Sequence, residues 1–461
     1  MAAGDRLTGR VVVVGAGLAG LSAAFALSAR GLQVTVCERS SRPGGRATSF
    51  ASQALHAELD NGQHVLLGCC TRLQALLQVA GLEDAVHLQP LLDIPVYAQG
   101  RVARLYSRGW PGVLHLLPAL VGYRHLHPAE RMRALYGGAR IAGLRSLPTD
   151  DESFATWLLR HGQSRRTIAH LWDLIVVSIM NGHCEQISAR QALAALRTGV
   201  TPGAAAARLG YLRLPLGTVA QALARALVSR GVRLQYGASV ERLEVERGQD
   251  GVCAVGVSLR ANGQAPAQVL SADAVVLAVA HDAAGALLDG AARFGDAGRD
   301  PRQLAWSPIC NVYALYDRPV WTGDVLARLD GVSQFVFNRG RLHGDTQLDG
   351  RLIAVSISAA QSLQGWTQTQ IAAVVAEELC DMLPGARAAR LIAHQVVWQR
   401  RATFVAAPGS EATRAGGSGG VKRVAVAGDW TATGWPASLE GAVRSGEAAA
   451  EAVAHMLQEE A

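Results

Sequence analysis

Four consecutive valines followed by three spaced glycines constrain this chain more than any other feature. The run Val11–Val14 predicts a parallel strand buried on both faces, and Gly15-Ala-Gly17-Leu-Ala-Gly20 follows it at once. The stretch Leu21–Arg30 predicts a helix, and Leu32–Cys37 predicts a second strand that ends at Glu38. This order of strand, loop, helix and strand predicts a βαβ unit that binds the ADP moiety of a dinucleotide.

The residues of this loop have distinct roles in such a site. The first glycine permits a tight turn, the second lets the pyrophosphate approach the backbone, and the third lets the helix pack on the strand. The helix N-terminus presents N–H groups and a positive dipole to the phosphates. Glu38 can accept from the ribose hydroxyls and disfavours a 2′-phosphate, so FAD or NAD is expected. The alternative is a glycine-rich turn in an ordinary α/β domain. The predicted nucleotide contacts are Gly15, Ala16, Gly17, Leu18, Ala19, Gly20 and Glu38.

The length and composition place the chain among globular proteins of more than one domain. At 461 residues it exceeds what one hydrophobic core normally serves. Apolar residues make up 49 % and charged residues 18 %, which excludes a disordered chain. The seven cysteines show no CxxC or Cys/His ligand spacing, so neither a metal site nor a disulfide framework is predicted, and a reducing cytoplasmic compartment fits best.

Two uncharged stretches could be mistaken for membrane segments. Residues 11–29 resemble a signal peptide in hydropathy, but the glycine spacing favours the strand and helix of a βαβ unit. The longer stretch Leu352–Ala376 contains glutamines and a Gly-Trp-Thr break, which predicts a strand, a turn and a helix start. No membrane-spanning helix is expected.

Five further segments continue the nucleotide-binding pattern along the chain. Arg39 to Arg46 contains two adjacent glycines and a terminal arginine, and Val424–Ala427 is a buried strand leading to Gly428-Asp429. Ser438–Gly446 opens the last helix. Between these ends, 231–243 and 272–280 each predict a strand.

Taken together, these segments resemble the flavin amine oxidase and phytoene desaturase superfamily. The resemblance covers residues 11–446 and implies an α/β fold: a Rossmann-type FAD-binding domain of the GR2-like flavoprotein kind, interleaved with a mixed α+β substrate domain. It implies FAD as cofactor, with Asp429 on the ribityl-phosphate, Val240 on adenine and the start of the last helix facing the flavin. The FAD contacts that it adds are Arg39, Gly45, Arg46, Val240, Ala278, Gly428, Asp429, Leu439, Glu440 and Ala442.

The two domains are expected to be discontinuous in sequence. The FAD-binding domain is predicted at 1–87, 206–290 and 405–461, and the substrate domain at 88–205 and 291–404. In the substrate domain, helices are expected to cap a mainly antiparallel sheet. Its predicted strands include Asn311–Tyr316, Gln334–Asn338 and Leu352–Ser358.

The lysine content and two motifs narrow the range of reactions that the chain is expected to catalyse. Amine-oxidising members of the superfamily typically hold a lysine near flavin N5, but Lys422 is the one lysine in this sequence and precedes a strand. The segments 60–71 and 430–441 resemble the squalene-associated FAD-dependent desaturases, also called hydroxysqualene dehydroxylases, of bacterial hopanoid and carotenoid pathways. The resemblance implies reductive removal of the hydroxyl of hydroxysqualene, with an external reductant to restore FAD. The alternatives are desaturation of a carotenoid-type polyene, amine oxidation, or a non-catalytic flavin-binding scaffold.

The candidate catalytic residues lie in the segment 60–71. His64 is the candidate proton donor, or a structural hydrogen-bonding residue near the flavin. Asp60 either orients His64 or caps the helix that begins near Thr71. The adjacent Cys69 and Cys70 are either packed thiols or a redox pair.

The candidate substrate-cavity residues are spread along the chain. Trp430 and Trp435 can offer aromatic faces to a cationic carbon. Asn181 and His183 either line the cavity or form the turn that ends a helix. Glu440 has an alternative role in capping the last helix.

Positive charge is concentrated in one segment. The chain carries a net +7, and residues 101–145 hold eight arginines and one acid, also +7. They include the uncharged stretch Gly109–Tyr123, which is too short to span a bilayer. This composition predicts a surface anchor on the inner face of the membrane, beside an entrance for a lipid substrate. An ordinary helical subdomain is the alternative, and nucleic-acid binding is not expected.

Overall fold

The computed structural model describes residues 8–248, 251–261, 268–291, 300–414, 416 and 421–459. The strands are β1 (Arg10–Val14), β2 (Gln33–Glu38), β3 (Ser49–Ser52), β4 (Ala57–Asp60), β5 (Val65–Leu67), β6 (Val86–Leu88), β7 (Asp93–Ala98), β8 (Arg101–Tyr106), β9 (Leu209–Leu212), β10 (Arg233–Tyr236), β11 (Ala238–Gly248), β12 (Gly251–Ala261), β13 (Gln268–Ser271), β14 (Ala274–Leu277), β15 (Trp306–Tyr316), β16 (Val325–Arg328), β17 (Phe335–Asn338), β18 (Leu352–Ile357), β19 (Leu391–Phe404) and β20 (Val424–Val426).

Helices connect these strands and cover both large sheets. They are α1 (Leu18–Ala29), α2 (Thr71–Val79), α3 (Leu117–Gly122), α4 (Pro128–Ala142), α5 (Phe154–Arg160), α6 (Arg165–Thr167), α7 (Asp173–Met180), α8 (Ala189–Gly199), α9 (Ala204–Ala207), α10 (Leu216–Val228), α11 (His281–Ala291), α12 (Arg339–Leu342), α13 (Gln368–Met382), α14 (Pro384–Ala388) and α15 (Leu439–Glu459). In the ranges that the structure describes, no helix is both long and apolar enough to cross a membrane.

The nucleotide-binding half is built on a five-stranded parallel sheet in the order β10-β2-β1-β14-β20. The four valines of β1 are buried at the centre of this sheet, as the sequence predicts. The predicted βαβ unit is present, but α1 begins at Leu18 and not at Leu21. The third glycine therefore lies within the first turn of the helix.

The last helix packs directly on the first. Ser22 Oγ donates to the Val443 carbonyl at 2.9 Å, across 421 residues of sequence. A Cβ on Gly446 would lie 2.2 Å from the Ala19 carbonyl oxygen, so a glycine is needed where α15 crosses α1. This contact holds the N-terminus of α15 near the glycine loop.

The second large sheet has seven strands in the order β19-β15-β18-β17-β16-β7-β8. Of its pairs, β16 with β7 is parallel and the others are antiparallel, in agreement with a mainly antiparallel sheet. Its strands all lie in 88–205 and 291–404, whereas those of the parallel sheet lie in the other three predicted segments. The domain boundaries themselves stay a prediction.

The two sheets meet along the segment between β3 and β5. The hairpin β3–β4 and the small sheet β5-β9-β6 lie at this junction. Tyr313 of β15 donates from its hydroxyl to the Asp60 carbonyl at 2.8 Å, and Asn311 Nδ2 donates to the Asn61 carbonyl at 3.2 Å. The residues at the end of β4 therefore contact β15, the strand next to the edge strand β19 of the second sheet.

Candidate active site

The glycine loop has the geometry that the three glycines predict. Gly15 has a φ of +102°, and a Cβ there would lie 2.5 Å from the Ala278 carbonyl oxygen. A Cβ on Gly20 would lie 1.9 Å from the Gly15 carbonyl oxygen. A Cβ on Gly17 would meet no described atom within 4 Å, so the backbone is open there for a phosphate to approach.

Glu38 lies at the edge of this loop, at the end of β2. Its carboxylate accepts the Ala16 N–H at 2.8 Å and the Ser40 N–H at 2.9 Å. The residue is buried, whereas the adjacent Arg39 is exposed. Both positions are compatible with a nucleotide lying over the loop.

The second glycine pair packs against the first loop. Gly44 N–H donates to the Ala16 carbonyl at 2.8 Å. Gly45 has a φ of +58°, and a Cβ there would lie 3.3 Å from Gly17 Cα. A side chain at Gly45 would therefore fill the space above the glycine loop, whereas a Cβ on Gly44 would lie 2.3 Å from the Ala47 carbonyl oxygen.

An ion pair joins the N-terminal and C-terminal parts of the predicted site. Arg46 donates to the buried carboxylate of Asp429, and its other terminal nitrogen donates to the Ala402 carbonyl at 2.8 Å. The backbone of Gly428, next to Asp429, is held by α15, because the Gly428 N–H donates to Ser445 Oγ at 2.8 Å. The guanidinium and the carboxylate are therefore both held in place, and their contacts with the ribityl and phosphate groups of FAD stay predictions.

The remaining predicted FAD contacts lie around the same sheet edge. Ala278 directly follows β14 and donates its N–H to the Val14 carbonyl at 2.8 Å. Val240 lies on β11 immediately before a bulge in the pairing with β12. Leu439 and Ala442 are in the first turn of α15. Their contacts with FAD stay predictions.

Glu440 has a role that the sequence analysis did not foresee. Its carboxylate accepts the Arg72 N–H at 3.1 Å and the Leu73 N–H at 2.7 Å, at the start of α2. It also accepts from Arg444 Nε at 2.8 Å. The side chain therefore caps α2, and it also lies in the first turn of α15, where the expected alternative places it.

Asp60 also caps a different helix from the one that the sequence predicts. Its Oδ1 accepts the Ser49 hydroxyl at 2.6 Å and the Leu216 N–H at 2.9 Å, so it caps α10 and not the helix that begins near Thr71. Its Oδ2 lies 3.8 Å from Arg339 Nη2. Asp60 acts on His64 through its charge, which opposes the effect of burial on the imidazole pKa.

His64 is half-buried, and one of its two ring nitrogens makes a hydrogen bond within the protein. Its Nδ1 lies 2.7 Å from the Gly62 carbonyl oxygen, which fixes the Nδ1–H tautomer. Nε2 is therefore an acceptor in the neutral ring and a donor only in the imidazolium. Burial lowers the pKa of His64, and the Asp60 carboxylate and the Gly62 carbonyl partly offset this.

The two predicted aromatic faces are both occupied by protein. Trp430 is buried, and its indole N–H donates to the Val279 carbonyl at 3.0 Å. The ring of Trp435 lies under the guanidinium of Arg444, 4.4 Å from its centroid. Their role beside a cationic carbon stays a prediction without direct geometric support.

Arg414 organises this loop and was missed by the sequence analysis. Its buried guanidinium donates to the carbonyls of Trp430, Thr431 and Trp435 at 3.2, 2.5 and 2.8 Å. The glycine-rich tract from Arg414 to Gly420 predicts a flexible linker, but Arg414 is fixed in the core. Most of the rest of that tract lies outside the described residues.

Asn181 and His183 form a helix end, which corrects the cavity interpretation. Asn181 ends α7 with a φ of +52°, and its side chain bonds the Ser307 carbonyl, Thr403 Oγ1 and the Ala359 N–H at 3.1, 2.9 and 2.6 Å. His183 is exposed and lies 3.4 Å from Asp173, whose hydrogen bond raises the pKa of His183. The helix-end alternative describes both residues.

Cys69 and Cys70 are half-buried free thiols beside Glu440 and Arg444. A hydrogen bond from Cys70 lowers the pKa of Cys69, and the same bond raises that of Cys70. Within the described ranges, no group of three or more His, Cys, Asp or Glu side chains is placed to hold a metal ion.

A family model described as flavin containing amine oxidoreductase matches residues 18–454. The chain belongs to this family. It is an FAD-dependent oxidoreductase, and the loops around Gly17, Gly45 and the Arg46–Asp429 pair fit FAD because they leave an open, glycine-lined backbone beside a fixed charge pair.

Named relatives cover almost the whole chain. The chain is 29 % identical to a hydroxysqualene dehydroxylase of Sinorhizobium fredii, over 96 % of this chain and 97 % of the relative. It is 29 % identical to that of Rhodopseudomonas palustris, over 96 % and 98 %. A zeta-carotene desaturase of Zea mays is 24 % identical over 95 % of this chain and 82 % of its own length.

Solved structures share the fold. An oxidoreductase of Methanosarcina mazei superposes with a TM-score of 0.71 at 18 % identity, covering 95 % of this chain and 98 % of its own. Cyclohexylamine oxidase of Brevibacterium oxydans superposes with a TM-score of 0.68 at 19 % identity, covering 98 % and 99 %. At these identities the superpositions establish the architecture alone.

The open space at Gly17 predicts that Gly17→Ala separates cofactor binding from folding. Gly17 has a φ of −71°, which alanine adopts freely, so the melting temperature of the apoprotein should hardly change. The new methyl group lies where the phosphates approach, so the Kd for FAD should rise at least about tenfold. Fluorescence titration with FAD and thermal melting measure the two effects.

Gly20→Ala is the matched control for this experiment. Its Cβ would lie 1.9 Å from the Gly15 carbonyl oxygen, so it should destabilise the fold by about 1–3 kcal/mol. An unchanged FAD affinity in Gly17→Ala would show that the loop does not hold the pyrophosphate.

Proposed function

We propose that this protein reductively removes the hydroxyl group of hydroxysqualene to give squalene. The observation that carries the proposal is the 29 % identity to two hydroxysqualene dehydroxylases over 96 % of the chain. The carotene desaturase relatives favour a second candidate, the oxidative desaturation of a carotenoid-type polyene.

The position of the one lysine supports a reaction other than amine oxidation. Lys422 is exposed at the start of β20, whereas Gly428 and Asp429 follow the opposite end of that strand. The sequence contains no other lysine, so none can hold a water at flavin N5.

The proposed reaction requires a hydride for carbon and a proton for oxygen. Reduced FAD supplies the hydride when it is bound. His64 supplies the proton from Nε2, because Nδ1 is committed to the Gly62 carbonyl. The C–O bond breaks with both electrons on oxygen, the proton converts it to water, and the product gains one C–H bond.

We further propose that the segment 101–145 docks on an anionic membrane surface on the cytoplasmic side. The segment forms β8 at the edge of the large sheet, then α3 and α4. Large apolar side chains that are at least 49 % exposed cluster here: Val102, Trp110, Leu114, Val121, Met132 and Tyr136.

Charge in the same segment supports this surface. Arg108, Arg124, Arg133 and Arg140 are exposed around the apolar side chains, and the one acid, Glu130, is half-buried and accepts from Ser164 at 3.0 Å. Apolar side chains surrounded by arginines suit the headgroup region of an anionic bilayer. An apolar substrate such as hydroxysqualene would enter from that bilayer.

Anaerobic incubation of the enzyme holding reduced FAD with hydroxysqualene tests the main proposal. We expect one squalene formed for each flavin oxidised, measured by mass spectrometry and by flavin absorbance. The control is the oxidised enzyme with zeta-carotene, which should be unchanged. Dehydrogenation of the polyene without any squalene formation would select the desaturase instead.

The His64 geometry predicts an acid-dependent rate. The active form is the imidazolium and burial lowers its pKa below the ordinary 6.5, so kcat should fall as the pH rises through that lowered value. His64→Gln should lower kcat about a hundredfold and remove this limb of the pH profile. His455→Gln, on the exposed face of α15, is the control, and a His64→Gln enzyme with the wild-type profile would exclude the role.

Replacing exposed apolar residues tests the membrane proposal without disturbing the core. We expect Trp110→Ser/Leu114→Ser/Val121→Ser to bind phosphatidylglycerol liposomes at least about tenfold more weakly in co-sedimentation, because each buried side chain contributes about 1 kcal/mol. Val228→Ser/Val269→Ser/Ile392→Ser, similarly exposed elsewhere, should bind as the wild type does. Equal binding by both triple variants would reject this surface.

A further inference from the structure

Three side-chain oxygens near His64 have no hydrogen-bond donor. They are Asn61 Oδ1, Gln63 Oε1 and Asn311 Oδ1, and nothing in the described part of the chain pairs with them. Asn61 is 6 % exposed and Asn311 is 1 % exposed, so bulk water does not satisfy them either. Buried acceptors without donors are costly in a fold, and their presence indicates a ligand that donates.

The structure brings these groups together from two sequence regions. Asn311, on strand β15 of the second sheet, donates from Nδ2 to the Asn61 carbonyl at 3.2 Å. Gly62 allows this approach, because a Cβ there would lie 2.8 Å from Asn311 Nδ2. The same Gly62 accepts from the His64 ring at 2.7 Å through its carbonyl. The acceptors and the imidazole therefore share one short loop and one strand.

The orientation of both asparagine amides is fixed by their nitrogen atoms. Asn311 Nδ2 donates to the Asn61 carbonyl, and Asn61 Nδ2 donates to the Arg46 carbonyl. Since each amide nitrogen is bound to a backbone oxygen, the oxygen of each side chain is the atom left free. The site consists of acceptors and takes a group that donates.

We propose that Asn61 and Asn311 form a binding site for the hydroxyl group of an alcohol substrate, next to His64. This inference rests on the proposed dehydroxylation and deepens it. An alcohol O–H satisfies one acceptor, whereas a hydrocarbon polyene satisfies none. A carboxylate or phosphate would place negative oxygen against these oxygens and be repelled.

The site is more complementary to the departing group than to the bound alcohol. When the C–O bond breaks and the proton of His64 Nε2 joins the oxygen, the leaving water has two O–H donors. Asn61 Oδ1 and Asn311 Oδ1 can accept both, so the second hydrogen bond forms only as the bond breaks. Interactions that strengthen along the reaction lower its barrier.

Ligand discrimination by the oxidised holoenzyme tests the site without turnover. Hydroxysqualene and squalene are titrated in detergent, and binding is followed by tryptophan fluorescence and flavin absorbance. We expect the wild type to bind the alcohol about tenfold more tightly than the hydrocarbon. Asn311→Leu, close to asparagine in size, should bind the two equally.

Tyr313→Phe is the matched control, two residues along the same strand. It loses a hydrogen bond to the Asp60 carbonyl, as Asn311→Leu loses one to the Asn61 carbonyl, but it removes no free acceptor. It should keep the tenfold preference. A preference that survives in Asn311→Leu, or that disappears equally in Tyr313→Phe, overturns the proposal.

Two further measurements, the binding of a methyl ether and the retention of FAD, can also reject the proposal. The methyl ether of hydroxysqualene retains the oxygen but donates nothing, so the wild type should bind it no better than squalene. Ether binding as tight as alcohol binding overturns the site even if Asn311→Leu does not fold. Loss of FAD from Asn311→Leu, with FAD retained in Tyr313→Phe, also overturns it by assigning the acceptors to the flavin.

Failure of the binding site and failure of the proposed function give different results. A preference for the alcohol that depends on Asn311, in an enzyme that forms no squalene from reduced FAD, would support the binding site and reject dehydroxylation. Squalene formation without that preference would support dehydroxylation and reject the site.

Discussion

The contact between Asp60 and its neighbours holds the two halves of the protein in register. One carboxylate oxygen accepts from Ser49 and from the first N–H of α10, while the other faces the buried guanidinium of Arg339 in the second domain. The carbonyl of the same residue accepts from Tyr313. Removing the Arg339 guanidinium would leave the buried Asp60 carboxylate without that opposing charge, at a cost of about 3–5 kcal/mol.

The active-site loop depends on that contact. Asn61 to His64 follow Asp60 directly. Asn311 and the His64 imidazole hold the backbone carbonyls of Asn61 and Gly62, and the Asn61 side chain donates to the Arg46 carbonyl. His343 lies 3.9 Å from the Asp60 carboxylate, yet burial and the Arg339 charge lower its pKa to about 3. It is therefore neutral at physiological pH and does not compete with Arg339 for Asp60.

The parts of the fold that could be predicted from sequence are those encoded by local pattern. Four valines, a spaced glycine loop and a strand ending in Glu38 specify β1, α1 and β2 within 29 residues, and the structure reproduces them. Strands in the second sheet were also predictable from β-branched runs such as Leu352–Ile357. These features follow from steric and hydrophobic periodicity alone.

The features that could not be predicted depend on residues that are distant in sequence. Glu440 caps a helix 367 residues away, and Arg414 binds carbonyls that become neighbours only after β20 joins the sheet. In the sequence, Asn311 is a polar residue in a largely apolar strand. Its contact with the loop at Gly62 is visible only in the folded structure. A polar residue inside a predicted buried strand was the available signal.

The position of α15 has a consequence for biosynthesis. The strand β20 forms one edge of the parallel sheet, and α15 packs on α1 and caps α2. The packing of elements near residue 20 is therefore complete only when elements near residue 440 have been synthesised. Contacts of such long sequence separation form late and slowly. During translation the glycine loop therefore emerges from the ribosome long before α15, the helix that packs against α1.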